Sequence, residues 1–440
     1  MKPVLQLALD FINLEQALRA AREAVAGGVD WVEAGTPLIK SEGLDAVRAL
    51  RREFPSATVV ADMKVMDAGR TETECAAKAG ADVVHVLGAA SDATIRECVE
   101  AAERYRARIC VDLIGIPTPE AMIARARAVR ELGAAHVCIH TPIDMQMRGE
   151  VPFAFLRTVA AEVDMPVAVA GGINSESVVR AIEAGAAIVI VGGAITKAPD
   201  ATAAARAIRE AMESGTPVET TLFKRVGADG IAEVLMKASA ADVTGALHNT
   251  GDLRGIHAIV PGAKLVGRAL TVWTYPGDWS KPVQAIDQAE DGAVIVVDAG
   301  DQPPAIWGEM ATHSCLQRHV TGVVISGGIR DVAEIRRMSF PAFASHICPA
   351  AGEPKGQGMI GVPIRIGGRT VRSGDWLVGD DDGVVVIPAE KAVEIANRAL
   401  AVVEQEERQI AEIDGGSTLG KVSELTRWEQ LRRDPDGREE

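Results

Sequence analysis

Short apolar runs alternate with amphipathic segments through the first half of the chain. Each run ends in glycine or a polar residue, and a segment rich in Ala, Arg and Glu with helical periodicity follows it. The runs cover residues 4–9, 29–32, 58–61, 82–87, 108–113, 135–139, 167–170 and 188–191. Eight strands that are apolar on both faces and alternate with helices predict an α/β fold of the (β/α)₈ TIM barrel type. An open doubly wound sheet is the alternative, and the lack of a GxGxxG turn after the first run disfavours it.

The pattern changes after Thr221. A helical stretch at 228–246 is followed by apolar runs at 264–273, 293–298, 322–326, 342–346, 363–366 and 383–387, and then by a long helix at 389–413. This order predicts a second α/β domain of the sandwich type with its own core. The predicted limits are 1–215 for the barrel, 216–227 for a linker, 228–415 for the second domain and 416–440 for a charged tail.

Composition excludes several classes of protein. The 440 residues carry a net charge of -15, which argues against a nucleic-acid partner. No apolar run approaches membrane length, and the first run meets an acid at Asp10, so neither a membrane partner nor a signal peptide is expected. Six cysteines without a CxxC pair indicate neither a disulfide framework nor a zinc site. We therefore expect a soluble cytoplasmic protein.

Ionisable residues follow several of the predicted barrel strands at their carboxyl ends, where the active sites of TIM barrels lie. They are Asp10, Glu33, Asp62, Lys64, Asp112 and His140. A single acid at a strand end is usually a cap or half of a structural ion pair, but several of them would converge on one barrel mouth. Asp112 is the weakest member of the set, and a structural role for it stays open.

The segment VVADMKVMDAG, at 59–69, concentrates this chemistry. Side chains at i and i+2 of a strand share a face, so Asp62 and Lys64 should project together, with Asp67 on the following turn. Glu33 and Asp62, on neighbouring strands, suit a hard divalent cation such as Mg²⁺ or Mn²⁺. The fixed positive charge of Lys64 beside them suits the stabilisation of an enediolate. His140 could transfer a proton near neutral pH. A structural ion pair is the alternative for Asp62 and Lys64.

Two glycine pairs, Gly171-Gly172 and Gly192-Gly193, follow the seventh and eighth strands. Loops at this position of a barrel commonly bind phosphate through backbone N–H groups. The expected ligand is therefore a small phosphorylated molecule.

The segments at 33–43, 61–69, 112–116, 170–173 and 191–195 resemble the 3-hexulose-6-phosphate synthase family of the orotidine monophosphate decarboxylase suprafamily. The resemblance covers the whole first half and includes the suprafamily signature DxKxxD at Asp62, Lys64 and Asp67. It implies a Mg²⁺-dependent aldol addition of formaldehyde to D-ribulose 5-phosphate, or the reverse cleavage, with no indication of direction. It also implies a dimeric barrel in which Asp67 reaches the partner subunit's site.

The rival within the suprafamily is 3-keto-L-gulonate 6-phosphate decarboxylase, which shares the metal and enediolate chemistry. That group carries an arginine three residues after its active-site histidine. The corresponding residue after His140 is Ile143, which favours the synthase.

The second half concentrates its chemistry in WGEMA at 307–311 and SGGIRD at 326–331. Arg330 offers a fork for a carboxylate and Asp331 a metal ligand, although a surface ion pair is the favoured interpretation of the two residues on their own. Both motifs, with twenty residues between Glu309 and Arg330, resemble the family that joins the regulator of ribonuclease activity A to class II 4-hydroxy-4-methyl-2-oxoglutarate aldolases. By that resemblance a 2-oxo acid is held by Gly308, Glu309, Met310, Ala311 and Arg330, and a divalent metal by Asp331.

Two classes of function stay open for the second half. One is a second lyase, and the other is a binding or oligomerisation module, including one that contacts a ribonuclease. The resemblance implies trimers here, and together with dimeric barrels these predict a homo-oligomer such as a hexamer.

Overall fold

A computed structural model describes residues 2–423 of the chain. Residues 424–440, which make up most of the predicted charged tail, lie outside the described part. Contacts divide the described chain into two compact units, one formed by residues 2–146, 150–224 and 404–423 and the other by residues 147–149 and 225–403. The second unit thus begins inside the predicted linker. No helix within residues 2–423 combines the length and apolarity needed to cross a membrane.

The first unit contains a closed barrel of parallel strands, which confirms the predicted fold. The strands are β1 (Val4–Leu9), β2 (Trp31–Ala34), β3 (Thr58–Val65), β4 (Val83–Leu87), β5 (Arg108–Asp112), β6 (His136–His140), β7 (Val167–Ala170) and β8 (Ile188–Val191). Each strand pairs with the next along the chain, and β1 pairs with β8 to close the ring. Closure brings the carboxyl ends of all eight strands to one mouth.

Helices connect these strands and cover the barrel. They are α1 (Leu14–Ala26), α2 (Thr36–Glu42), α3 (Asp45–Glu53), α4 (Gly69–Ala79), α5 (Asp92–Arg104), α6 (Pro119–Glu131), α7 (Ile143–Met147), α8 (Phe153–Glu162), α9 (Val178–Glu183), α10 (Gly193–Thr196) and α11 (Ala201–Ser214). Side-chain oxygens of Asn13, Ser91, Thr118 and Asp200 cap the helices that follow them. The alternating strand residues pack outwards against these helices or inwards to fill the barrel.

Strand β3 departs from the regular alternation that the sequence predicts. Lys64 has a left-handed backbone conformation, with φ of +47°, and the pairing with β4 shifts register between Ala61 and Val65. The side chains of Asp62 and Lys64 do project together, as predicted, but the backbone at Lys64 is not extended. The irregularity is a bulge, which redirects side chains at the end of a strand.

The second unit is an α/β domain, as predicted. Its strands are β9 (His257–Ala258), β10 (Leu265–Trp273), β11 (Ala293–Asp298), β12 (Ala305–Trp307), β13 (Gly322–Ile329), β14 (Ala342–Ile347), β15 (Met359–Ile360), β16 (Ile364–Ile366), β17 (Arg369–Val371), β18 (Trp376–Asp380) and β19 (Gly383–Ile387). The main sheet has the order β19-β18-β10-β11-β13-β14-β9, while β16 and β17 form a separate hairpin. The apolar runs of the sequence did not predict five strands, four of which have only two or three residues: β9, β12, β15, β17 and β18.

Helices of the second unit complete its core. They are α12 (Ile231–Lys237), α13 (Ala240–Ala246), α14 (Ser280–Gln288), α15 (Glu309–Gln317), α16 (Val332–Arg337) and α17 (Ala392–Asp414). The stretch predicted at 228–246 is helical but divided: α12 ends at Lys237, and Ser239 starts α13 through a capping box with Asp242.

The end of α17, from Glu404, and the short α18 (Leu419–Val422) belong to the first unit. Arg408 donates to both carboxylate oxygens of Glu23 at 3.1 Å, and Glu404 accepts a hydrogen bond from the backbone N–H of Phe223. Residues 404–415, which the sequence assigned to the second domain, therefore pack with the barrel unit.

Candidate active site

A row of alternating charges crosses the carboxyl-terminal mouth of the barrel. Nζ of Lys64 lies 2.8 Å from Oδ2 of Asp62 and 3.2 Å from Oδ2 of Asp112, and Nδ1 of His140 lies 2.9 Å from the same Asp112 oxygen. The two aspartates are buried, so each depends on its cationic or hydrogen-bonding partners. The bulge in β3 places Lys64 between them. Asp112, the weakest member of the predicted set, proves to connect Lys64 with His140.

The pKa values follow from these contacts. Burial would raise the pKa of Asp62, but hydrogen bonding to His85 and the charge of Lys64 outweigh it and hold that pKa well below its usual range. Burial also opposes the low pKa of Asp112, which His140 and Lys64 secure. The two carboxylates in turn raise the pKa of Lys64 above its ordinary value, against the effect of burial. At neutral pH Asp62, Asp112 and Lys64 are thus all charged.

Glu33 is the exception among the acids of the mouth. It is 4% exposed and accepts a hydrogen bond from Nε2 of Gln6. Burial first, and the neighbouring Asp62 carboxylate second, raise its pKa to about 7. Two buried carboxylates that repel each other in this way suit a divalent cation, whose charge would relieve the repulsion. One donor atom from each of Glu33, Asp62 and His85 lies within 4.8 Å of the others.

Asp10 and Asp67 occupy different places relative to this row. Asp10 follows β1, and burial against the mouth, together with the Asp62 carboxylate, raises its pKa. Asp67 is exposed on the turn after β3, where its Oδ1 accepts the N–H of Ala68 at 2.7 Å. Within one chain the structure therefore does not bring Asp67 to Lys64 and Asp112.

The glycine pairs have clear conformational roles. Gly171 and Gly172 adopt φ of +105° and +71°, which disfavour other residues. A Cβ on Gly193 would lie 2.2 Å from the ring of Phe223, so close packing alone requires glycine there. The backbone N–H groups of these loops remain candidates for phosphate, but the need for glycine at 193 has a packing explanation.

Sequence reasoning missed three polar residues that support the row. Oγ1 of Thr36 donates to Oδ2 of Asp62 at 2.7 Å, and Nδ1 of His85 lies 3.5 Å from Oδ1 of the same residue. Gln6 holds Glu33. Gln6 and His85 each interrupt an apolar strand, and a polar residue inside a fully buried strand was the available signal.

The predicted residues of the second unit also come together. Gly308 follows β12 and is the N-cap residue of α15, and a Cβ there would lie 2.5 Å from Oδ2 of Asp331. That oxygen accepts the N–H of Glu309 at 3.2 Å and lies 3.4 Å from Nε of Arg330. Asp331 has a left-handed backbone, with φ of +56°, at the start of α16. The result is an open cradle formed by the start of α15 and the start of α16.

The exposed part of this cradle is partly apolar. Met310, in the first turn of α15, is 84% exposed, and the guanidinium of Arg330 is also accessible. None of the three clusters of close-set metal-ligand side chains found within residues 2–423 includes Asp331. The side chain of Asp331 is itself partly exposed.

Comparison with known proteins finds a matching family for each half of the chain. Residues 3–208 match the model of the orotidine 5'-phosphate decarboxylase / HUMPS family. A 3-hexulose-6-phosphate synthase of Bacillus subtilis is 40% identical over 212 residues, which are 48% of this chain and 99% of the relative. The barrel half belongs to this family. It is an enzyme of the lyase class, related to the 3-hexulose-6-phosphate synthases.

Solved structures similar to the barrel half are also known, and a second family model matches the other half of the chain. A crystal structure of a 3-hexulose-6-phosphate synthase is 42% identical, with a TM-score of 0.45, and covers 48% of this chain and 99% of that chain. One of the 3-keto-L-gulonate-6-phosphate decarboxylase of Vibrio cholerae is 29% identical, with a TM-score of 0.43, and covers 49% of this chain and 100% of that chain. Residues 240–386 match the RraA-like model, described as Aldolase/RraA. Both predicted resemblances are confirmed.

The raised pKa of Glu33 predicts a stability change near neutral pH in metal-free protein. The folded chain keeps this proton up to about pH 7, whereas the ordinary value is 4.5, so the folded state binds more protons in between. Stability contributed by neutral Glu33 is therefore lost as pH rises through 7, by about 1 kcal/mol between pH 6 and 8.

Urea unfolding in the presence of a chelator measures this change. Glu33→Gln should lose about 1 kcal/mol of the pH dependence, because its amide does not titrate. The exposed helix residue Glu15 provides the matched control, and Glu15→Gln should behave as wild type. Equal pH dependence in wild type and Glu33→Gln would show that Glu33 is already ionised at pH 6.

Proposed function

We propose that the barrel catalyses the metal-dependent aldol addition of formaldehyde to D-ribulose 5-phosphate, and the reverse cleavage of the hex-3-ulose 6-phosphate. The row Asp62–Lys64–Asp112–His140 beside Glu33 is the observation that carries this proposal. It provides fixed charges for an enediolate and a histidine for proton transfer at one mouth. The likeness to named synthases over the whole barrel supports the same reaction.

Glu33 and Asp62 are the residues that would hold the divalent cation, Mg²⁺ or Mn²⁺. Bound there, the cation would supply Lewis-acid stabilisation for neighbouring substrate oxygens. Lys64 is held by two carboxylates and places a positive charge where negative charge develops on those oxygens. Asp112 orients His140 through Nδ1, which leaves Nε2 to exchange a proton with the substrate.

Substrate phosphate is assigned to the loops that follow β7 and β8. The backbone N–H groups of Gly171, Gly172, Gly192 and Gly193 are the proposed donors. In cleavage a base at the mouth takes the proton of the C1 hydroxyl, the C1–C2 bond breaks to release formaldehyde, and the electron pair of that bond remains on the enediolate. Protonation of the enediolate then gives ribulose 5-phosphate. Asp10, with its raised pKa, is a second candidate to carry a proton at the same mouth.

Asp62→Asn should lower formaldehyde release from the hex-3-ulose 6-phosphate by at least about a thousandfold, since it removes a cation ligand and the anion that holds Lys64. The assay follows formaldehyde with purified full-length protein and added Mg²⁺. Asp45→Asn is the control, because Asp45 forms an exposed ion pair on α3.

A parallel assay of carbon dioxide release tests the rival decarboxylase activity. Ile143 is 52% exposed at the start of α7 and offers no charge to a decarboxylation intermediate. Carbon dioxide from 3-keto-L-gulonate 6-phosphate, without formaldehyde turnover by the wild type, would overturn the proposal.

We further propose that Asp67 acts in the site of a partner subunit, which suits its exposure on the turn after β3. Co-expression of Asp62→Asn with Asp67→Ala tests this idea. In a shared-site dimer, one of the two sites of the mixed dimer receives Asp62 from one chain and Asp67 from the other, so activity returns. If each site lies within one chain, the mixture stays as inactive as its components. Light scattering measures whether the chain is oligomeric at all.

For the second half we propose a divalent-metal-dependent lyase that cleaves a 2-oxo acid. Arg330 would bind the carboxylate of the substrate, with Gly308, Glu309, Met310 and Ala311 around it, and Asp331 would hold the metal. The support is the cradle in which one oxygen of Asp331 contacts both Glu309 and Arg330. A binding or oligomerisation module, including a ribonuclease-binding one, is the alternative outcome.

Asp331→Ala should abolish pyruvate release from 4-hydroxy-4-methyl-2-oxoglutarate by the full-length chain, because the carboxylate is the proposed metal ligand. Pyruvate is followed with lactate dehydrogenase, in an Asp62→Asn background so that the barrel contributes nothing. Asp291→Ala, at an exposed position of the same unit, should keep the activity. Absence of metal-dependent cleavage in the parent protein would favour the binding module.

A further inference from the structure

Three residues lie side by side inside the barrel, beneath the charged row of the mouth. His85 of β4 is the register partner of Cys110 of β5, and Cys110 is the partner of His136 of β6. Alternation along the strands points all three inwards, together with Val83 and Cys138 of the inner core. Their exposures are 3%, 0% and 3%. One donor atom of each lies within 4.8 Å of the others.

Two imidazole nitrogens in this group lack protein partners. Nε2 of His85 and Nε2 of His136 are buried and accept or donate no hydrogen bond within residues 2–423. A buried polar atom without a hydrogen-bond partner destabilises the folded state, so a pair of them indicates a ligand. Nδ1 of His85 faces Asp62, which leaves Nε2 as the nitrogen available to a ligand.

We propose that His85, Cys110 and His136 bind a borderline transition-metal cation of the Zn²⁺ class, separate from the divalent cation held by Glu33 and Asp62. Two imidazoles and one thiol form a soft donor set that favours zinc over magnesium. Tetrahedral zinc spaces its ligand atoms by about 3.3–3.8 Å, given bonds of about 2.0–2.3 Å. Separations of up to 4.8 Å thus require shifts of only about 1 Å.

The surroundings suit metal ligation. Against the effect of burial, Cys110 and Asp62 raise the pKa of His85 in the metal-free protein, so metal binding at its Nε2 would release a proton. The edge of Trp31, with its ring centroid 6.1 Å from that of His136, closes the floor of the site. Asp62 stands behind His85 as the carboxylate of a carboxylate–histidine–metal arrangement. A metal bound at Nε2 would fix the proton of His85 on Nδ1, which faces Asp62. His85 would thus connect the metal site to the charged row at the mouth.

X-ray absorption on the zinc-loaded wild-type protein tests the proposal without a substitution. The protein is loaded with Zn²⁺ in excess Mg²⁺, dialysed against chelator, and analysed for metal content. The expected result is about one retained zinc per chain, with one sulfur and two imidazole nitrogens in its shell. No retained zinc, which is also the outcome if a water molecule occupies the position, overturns the proposal. A shell without sulfur, as at Glu33 and Asp62, overturns it too.

Cobalt substitution identifies the residues. A thiolate-to-cobalt charge-transfer band should appear in the wild type, be lost in Cys110→Ser, and weaken in His136→Gln. Cys98→Ser is the matched control, because Cys98 is a buried thiol that packs outside the barrel strands. Cys138→Ser separates the site from the neighbouring group Asp112, Cys138 and His140. A band that survives Cys110→Ser but not Cys138→Ser would contradict the assignment.

Discussion

The barrel depends on the mutual neutralisation of buried charges at its mouth. Asp62 and Asp112 are buried carboxylates, and the ammonium group of Lys64 lies between them. Removal of one partner of such a group leaves an uncompensated buried charge, which typically costs about 3–5 kcal/mol. The left-handed backbone of Lys64 and the bulge in β3 are the local strain that this placement requires. The buried positions of Asp62 and Asp112 and the strained backbone of Lys64 therefore depend on one another.

The closed barrel extends this polar region downwards into its interior. Inward positions on β4, β5 and β6 alternate with outward ones, so polar residues two apart in sequence form stacked layers. His85 belongs to both layers, because one nitrogen faces Asp62 while the ring adjoins Cys110 and His136. An interior that usually holds branched apolar side chains is here partly polar. This departure is the reason to assign it a ligand as well as a packing role.

The two units present their acids differently. In the barrel, Glu33 and Asp62 are buried beside each other, and the environment alone separates their pKa values, raising one and lowering the other. In the second unit, Asp331 is partly exposed and interacts with one arginine and one backbone N–H. The first arrangement is preorganised within a single chain. The second is an open cradle with an exposed Met310 beside it.

The sequence by itself determined the barrel, the second α/β unit and most of the charged residues at the strand ends, because apolar runs with charged ends specify both the strands and the mouth. Three features needed the tertiary structure: the bulge at Lys64, the central position of Asp112 and the contacts of residues 404–415 with the first unit. Each depends on residues distant in sequence. The role of His85 was hidden for the same reason, since only barrel closure and strand register bring it to Asp62, Cys110 and His136.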